Sequence, residues 1–123
     1  MQYVPLGKLK GHGTPAATEQ RHMWPMYSSY IGLVKTPLDV VMVDGRFRVA
    51  CALHAWLAST PSTFVIIHDF TGRNKYHILM QFFHEVERAG TMVVLKVNAV
   101  KRADPVWQEM AREQIEKFQY NVE

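Results

Sequence analysis

The segment from Asp39 to Leu57 constrains the fold of this chain more than any other part of the sequence. It opens with an uninterrupted apolar run, Val40 to Val43, breaks at Asp44-Gly45 and then continues with helical spacing. A buried strand that ends in Asp-Gly and leads directly into a helix is typical of a β-α-β unit. Because ligands bind at the carboxyl ends of strands in open α/β sheets, we expect a site near Asp44.

Composition supports a single folded domain over residues 1–123, with an irregular Gly- and Pro-rich segment over residues 1–22. The chain has 123 residues, of which 48% are hydrophobic, and a net charge of +3. The basic residues are scattered, which argues against nucleic-acid binding, and no apolar run reaches the ~18 residues that cross a bilayer. The single cysteine, Cys51, favours a reducing compartment, so we expect a cytoplasmic protein.

Apolar periodicity predicts three strands that alternate with helices. A short helix from about Pro25 to Val34 precedes them. The predicted strands cover 39–44, 64–68 and 91–97, and the predicted helices cover 46–59, 74–89 and 105–118. This order predicts an α/β fold with a parallel sheet flanked by helices, its strands buried on both faces. Three to four strands make an incomplete sheet with open edges, which favours a homo-oligomer or a completing chain.

Two residues at the end of the second strand, His68 and Asp69, are the candidate catalytic pair. A histidine next to a carboxylate is suited to act as a general base near neutral pH. A hydrogen-bonded core histidine is the alternative. Asp44 and Asp69 should end adjacent strands, and two neighbouring carboxylates attract a divalent cation, but they serve equally well as caps for the following segments. We therefore assign no metal ligands.

The start of the first long helix is the candidate ligand-binding region. A helix N-terminus favours anions, and arginine adds a two-pronged donor, so a small anionic ligand is one interpretation. The other is structural, with one arginine pairing with Asp44 or Asp69. Residues that open the second helix border the same crevice. The candidate ligand-binding residues are Asp44, Gly45, Arg46, Arg48, Arg73 and Tyr76.

Two motifs, VDGRFRVACAL over residues 43–53 and HDF over residues 68–70, carry a family resemblance. With them the chain resembles the C-terminal half of class I S-adenosylmethionine-dependent methyltransferases, in an uncharacterised subfamily. The resemblance implies a three-layer Rossmann-like fold, S-adenosylmethionine as the cofactor and methyl transfer as the activity. That family holds its cofactor with a first strand and a Gly-rich loop, and neither is in this chain. The resemblance therefore implies that a partner chain or a missing N-terminal half completes the enzyme.

Two main functional hypotheses follow, and whether the chain is an enzyme stays open between them. The first is a methyltransferase-like domain that is catalytic when completed. The second is a non-catalytic, truncated Rossmann-like scaffold that oligomerises or binds an anionic ligand. A metal-assisted hydrolase or nucleotide-sugar enzyme that uses the same strand-end residues is a third interpretation, because one α/β architecture hosts many chemistries.

Overall fold

A computed structural model describes residues 9–10, 14–15, 21–72 and 74–121. Strands β1 (Leu9–Lys10) and β2 (Thr14–Pro15) form a short antiparallel pair. Most of residues 1–22, which the sequence predicts to be irregular, lies outside the described residues, so that prediction stays a prediction. A 3-10 turn at Arg21–Met23 leads into helix α1 (Trp24–Ser29), and a second 3-10 turn (Tyr30–Leu33) follows.

The predicted β-α-β unit is confirmed. Strand β3 (Val40–Val43) is followed by helix α2 (Arg48–Ala58) and strand β4 (Phe64–Ile67). The two strands are parallel, and their register runs from Val40 opposite Phe64 to Val43 opposite Ile67. Their last residues therefore lie side by side.

The prediction of one helix over 74–89 is wrong beyond its first half. A 3-10 helix covers Asn74–Gln81, and strand β5 (Phe83–Ala89) follows it. Strand β5 forms an antiparallel hairpin with β6 (Met92–Val97), and Gly90 in the turn has a φ of 60°. Gly90 therefore supplies the left-handed residue of a tight hairpin rather than the end of a helix.

The sheet is mixed, so the prediction that its strands are all parallel is also wrong. In the order β3-β4-β6-β5, β6 runs antiparallel to both of its neighbours. The α/β class, the flanking helices and the small, incomplete sheet are confirmed. Burial on both faces is not observed for β3, because Val40 is 57% exposed and Met42 is 53% exposed.

The core lies on one face of the sheet. Side chains of α2 and of the final helix, α4 (Pro105–Phe118), pack there against the buried residues of the strands. The Trp56 indole N–H donates to the Phe82 carbonyl at 2.8 Å, which joins α2 to the segment before the hairpin. Helix α4 has its predicted bounds, and Asp104 caps it by accepting from the Val106 N–H. Val106, in the first turn of α4, is 66% exposed.

Helix α3 (Ala99–Ala103), a short element that was not predicted, connects β6 to α4. Within residues 21–72 and 74–121, the main buried cluster joins α2 and α4 to the strands, and a second, smaller cluster of Trp24, Phe47 and Ala50 joins α1 to the start of α2.

Candidate functional site

The site is built at the carboxyl ends of β3 and β4. Asp44 directly follows β3, His68 directly follows β4, and the in-register pairing of the strands sets the two residues side by side. The His68 main-chain N–H donates to the Val43 carbonyl at 3.1 Å, which fixes this neighbourhood through the backbone. In the side chains, Nδ1 of His68 lies 3.2 Å from Oδ1 of Asp44.

The imidazole of His68 is buried on one side and open on the other. Its Nδ1 atom is buried, although 39% of the side chain is exposed, so the exposed area belongs to the other ring atoms. The distance between Nδ1 of His68 and Oδ1 of Asp44 is that of an ion pair, but the angle between the two groups does not meet the geometry of a hydrogen bond. Such contacts are often loose before a substrate is bound and tighten in the reacting complex.

Asp69, the predicted partner of His68, is the more distant carboxylate. Its Oδ2 lies 3.7 Å from Nδ1 of His68, and its Oδ1 accepts a hydrogen bond from the Thr91 hydroxyl at 3.1 Å. Asp69 has a φ of 56°, in the left-handed region that aspartate tolerates better than most residues. Asp69 is thereby tied to the hairpin turn, which leaves Asp44 as the carboxylate nearer to the imidazole.

Arg48 lies behind Asp44 in the protein interior. Its side chain is only 4% exposed, and Nη2 lies 3.4 Å from Oδ1 of Asp44, as expected for one of the two arginines. Its Nη1 donates to the hydroxyl of the buried Tyr76 at 3.5 Å. The structure thus brings five of the predicted residues together: Asp44, Arg48, His68, Asp69 and Tyr76.

Gly45 and Arg46 line a different feature, a cavity of about 230 Å³ between α1 and β3. The Tyr27 hydroxyl is so close to Gly45 that a Cβ atom there would collide with it, which gives Gly45 a packing role. Sequence reasoning did not include Tyr27, because its spacing marked only a helix. The cavity is lined by Tyr27, Ser28, Ile31, Val41, Met42, Val43, Asp44, Gly45, Arg46 and Cys51.

Cys51 has the character of a buried thiol. Burial raises its pKa to about 12, and this effect outweighs the lowering effect of the nearby Arg48 charge. Its Sγ donates to the Arg46 carbonyl at 3.4 Å. A thiol with so high a pKa is not a nucleophile near neutral pH.

Two non-glycine residues with positive φ flank the site, and no sequence pattern marked them. Phe47, with a φ of 55°, precedes Arg48, and Asp69 follows His68. Left-handed backbone at such residues costs free energy and is concentrated at functional sites. Each strained residue adjoins a side chain that contacts Asp44.

Two predicted features need separate mention. Arg73, a candidate ligand-binding residue, lies outside the described residues. Among the residues that are described, no group of three or more His, Cys, Asp or Glu side chains is arranged to hold a metal ion.

Comparison with known proteins gives a likeness in structure only. No protein-family model matches the chain, and no curated protein matches it. A solved structure of a methyltransferase-like protein from Silicibacter pomeroyi is similar to it, with a TM-score of 0.71 and 23% sequence identity. The match covers 89% of this chain and 57% of that chain, so this chain spans little more than half the length of its structural relative. The chain therefore has a methyltransferase-like fold.

In the described part of the chain, every helix is too short or too polar to cross a lipid bilayer.

Proposed function

We propose that this chain is a methyltransferase-like domain in which His68 accepts the proton that an acceptor group loses during S-adenosylmethionine-dependent methyl transfer. The observation that carries the proposal is the pairing of His68 Nδ1 with Asp44 Oδ1 at the carboxyl ends of two parallel strands. This edge is where ligands bind in open α/β sheets. The fold shared with a methyltransferase-like protein supports the reaction class.

The chemistry assigned to this chain is a proton transfer. In the tautomer that carries its proton on Nδ1, the ring nitrogen near Asp44, neutral His68 has a lone pair on Nε2 that accepts a proton from a hydroxyl or amine of the acceptor. The resulting imidazolium is stabilised by the Asp44 carboxylate. A residue in this role contributes about 10²- to 10⁴-fold to a rate. We propose His68 as the catalytic residue and Asp44 as the residue that orients it.

The described residues do not fit the whole cofactor. The cavity beside Asp44 is about 230 Å³, whereas small-molecule sites typically enclose ~300–1,000 Å³. The sequence has no Gly-rich loop of the kind that follows a strand and opens a helix. We therefore place the cofactor on a completing chain or on a segment beyond this one, and assign only the proton-accepting side to these residues.

A labelled-methyl assay tests this function. The full chain is purified from its native cells together with the proteins that bind to it. The sample is then incubated with S-adenosylmethionine that carries a tritiated methyl group and with small acceptors that have hydroxyl or amine groups. We expect transfer that His68→Gln lowers about 10²- to 10⁴-fold. The matched control is His84→Gln, since His84 is exposed on β5, away from the end of β4. Equal rates for His68→Gln and wild type would rule out the general-base role.

The second candidate function is a scaffold that oligomerises, and the free edge of β3 favours it. Carbonyls of Asp39 and Val43 accept hydrogen bonds from the β4 side, so the alternation of the ladder turns the main-chain groups of Val40 and Met42 outward. No strand pairs with that side in the described part of the chain. An exposed apolar edge of this kind favours strand pairing with another chain.

Sedimentation at increasing concentration tests the scaffold function. We expect the wild-type chain to associate and Met42→Lys to weaken that association, while Val106→Lys, at an exposed apolar position on α4, leaves it unchanged. A wild-type chain that stays monomeric at high concentration contradicts pairing through the β3 edge.

A further inference from the structure

The burial of Arg48 is not explained by the proton transfer alone. Its side chain is 4% exposed, yet its guanidinium has one carboxylate neighbour at 3.4 Å and one hydroxyl neighbour at 3.5 Å. Its Nε atom is buried with no hydrogen-bond partner. A buried cation with so few contacts is costly, and replacing buried ion pairs by apolar side chains often leaves proteins as stable or makes them more stable. A contribution to the stability of the fold therefore does not explain why Arg48 is buried.

Its geometry indicates a different role. Nη2 of Arg48 and Nδ1 of His68 both approach the same oxygen, Oδ1 of Asp44, at 3.4 and 3.2 Å. The side chain of Asp44 is 51% exposed, so on its own it is free to turn toward solvent. Arg48 is enclosed and is also anchored through Nη1 to the buried Tyr76 hydroxyl. Tyr76 therefore restrains Arg48 in the interior, and Arg48 in turn restrains the half-exposed Asp44.

We propose that Arg48 is a positioning residue that bridges Tyr76 to Asp44 and so holds the carboxylate against Nδ1 of His68. With Asp44 fixed there, the proton of neutral His68 resides on Nδ1 and Nε2 remains the acceptor. This inference rests on the proposed function only for its use in catalysis. The arrangement of protons that it states is a property of the folded chain and is measurable without substrate.

Nuclear magnetic resonance of the full chain labelled with ¹⁵N-histidine reports this arrangement directly. At about two pH units above the ordinary histidine pKa of ~6.5, long-range ¹H–¹⁵N spectra distinguish the Nδ1–H and Nε2–H tautomers of each ring. We expect His68 to be mainly the Nδ1–H tautomer, with exposed His84 as the reference for an unrestrained ring in the same spectrum. In Arg48→Met, which keeps the length and apolar body of the side chain, the Nδ1–H fraction of His68 should fall toward that of His84.

The matched control is Arg112→Met, because Arg112 forms an exposed ion pair with Glu109 on α4 and should leave His68 unchanged. A folded Arg48→Met chain whose His68 keeps the wild-type tautomer ratio overturns the proposal. If Arg48→Met does not fold, Arg48→Lys carries the test. A lysine ammonium cannot span Tyr76 and Asp44 as a guanidinium fork does, so the Nδ1–H fraction should still fall, and a wild-type ratio overturns the proposal.

The two proposals fail separately. If the tautomer depends on Arg48 but His68→Gln leaves methyl transfer unchanged, the positioning role stands and the proposed function is wrong. If methyl transfer depends on His68 but the tautomer of His68 does not change in the Arg48 variants, the proposed function stands and the positioning role is wrong.

Discussion

Nδ1 of His68 and Oδ1 of Asp44, 3.2 Å apart, are held together by the backbone of two parallel strands. The His68 N–H donates to the Val43 carbonyl, one residue before Asp44, so the separation of the two side chains follows from strand register. Asp44→Asn keeps this backbone but presents an amide to the imidazole.

Asp44→Asn should lower methyl transfer by the completed enzyme about 10²- to 10⁴-fold, because the amide neither selects the Nδ1–H tautomer nor stabilises the imidazolium. The variant should also unfold at a lower temperature, because it leaves the buried Arg48 guanidinium without a carboxylate partner, so transfer is measured at a temperature at which both chains are folded. Asp39→Asn, at the opposite end of β3, is the control for removing a negative charge. Unchanged transfer in Asp44→Asn would show that Asp44 does not orient the base.

The purified chain on its own should not bind S-adenosylmethionine measurably by calorimetry at millimolar ligand. The cavity beside Asp44 is small, and the usual phosphate- or cofactor-holding Gly-rich loop is not in the sequence. Heat of binding that saturates with one cofactor per chain would contradict this expectation and place the cofactor site within these residues.

Stability should decrease as the pH falls below about 6.5, in part through His54 on α2. Burial lowers the pKa of His54 from its ordinary value of 6.5, so the unfolded chain binds a proton that the folded chain resists. Stability is therefore full above the unfolded pKa and is lost as the pH falls toward the lower folded pKa. His54→Gln should flatten this part of the profile of denaturant midpoint against pH, and the exposed His84→Gln should not. Identical profiles for the two variants would contradict the assignment.

Gly90→Ala should destabilise the chain by about 1 kcal/mol, because Gly90 has a φ of 60° in the turn between β5 and β6. Gly32→Ala is the matched control, since a Cβ atom there meets nothing within 4 Å and its backbone is not left-handed. Urea unfolding of both variants measures the difference. A neutral or stabilising effect of Gly90→Ala would contradict the left-handed turn at Gly90.

The β-α-β unit could be predicted because its signals are local. The apolar run Val40–Val43 lies directly between two aspartates, the run Phe64–Ile67 lies between Pro61 and Asp69, and the helix between the two runs has a continuous apolar face. The segment 74–89 was wrongly predicted to be one helix, because apolar residues recur there at three- and four-residue steps across two different elements. These residues are Tyr76, Leu79, Phe83 and Val86. The charges at Glu85, Glu87 and Arg88, which fit a solvated helix face, equally fit an exposed edge strand.

The proximity of the candidate residues could be predicted from the sequence, because the ends of adjacent parallel strands meet at one edge of the sheet. His68 contacts both carboxylates, Asp44 at 3.2 Å and Asp69 at 3.7 Å. The sequence could not show that Asp44 is the nearer one, because the left-handed backbone of Asp69 and its hydrogen bond from the Thr91 hydroxyl set the position of the Asp69 carboxylate. Such conformations depend on contacts that form only in the folded chain, and so does the burial of Arg48.

The unit that runs from β3 through α2 to β4 contains both members of the proton-accepting pair and the arginine behind them. These three side chains all belong to one contiguous stretch of sequence, residues 40–68. Strand register within this stretch sets the separation of Asp44 and His68, whereas Tyr76, which anchors Arg48, lies outside it. Moving the pair to a larger parallel sheet therefore requires residues 40–68 together with a hydroxyl in the place of Tyr76.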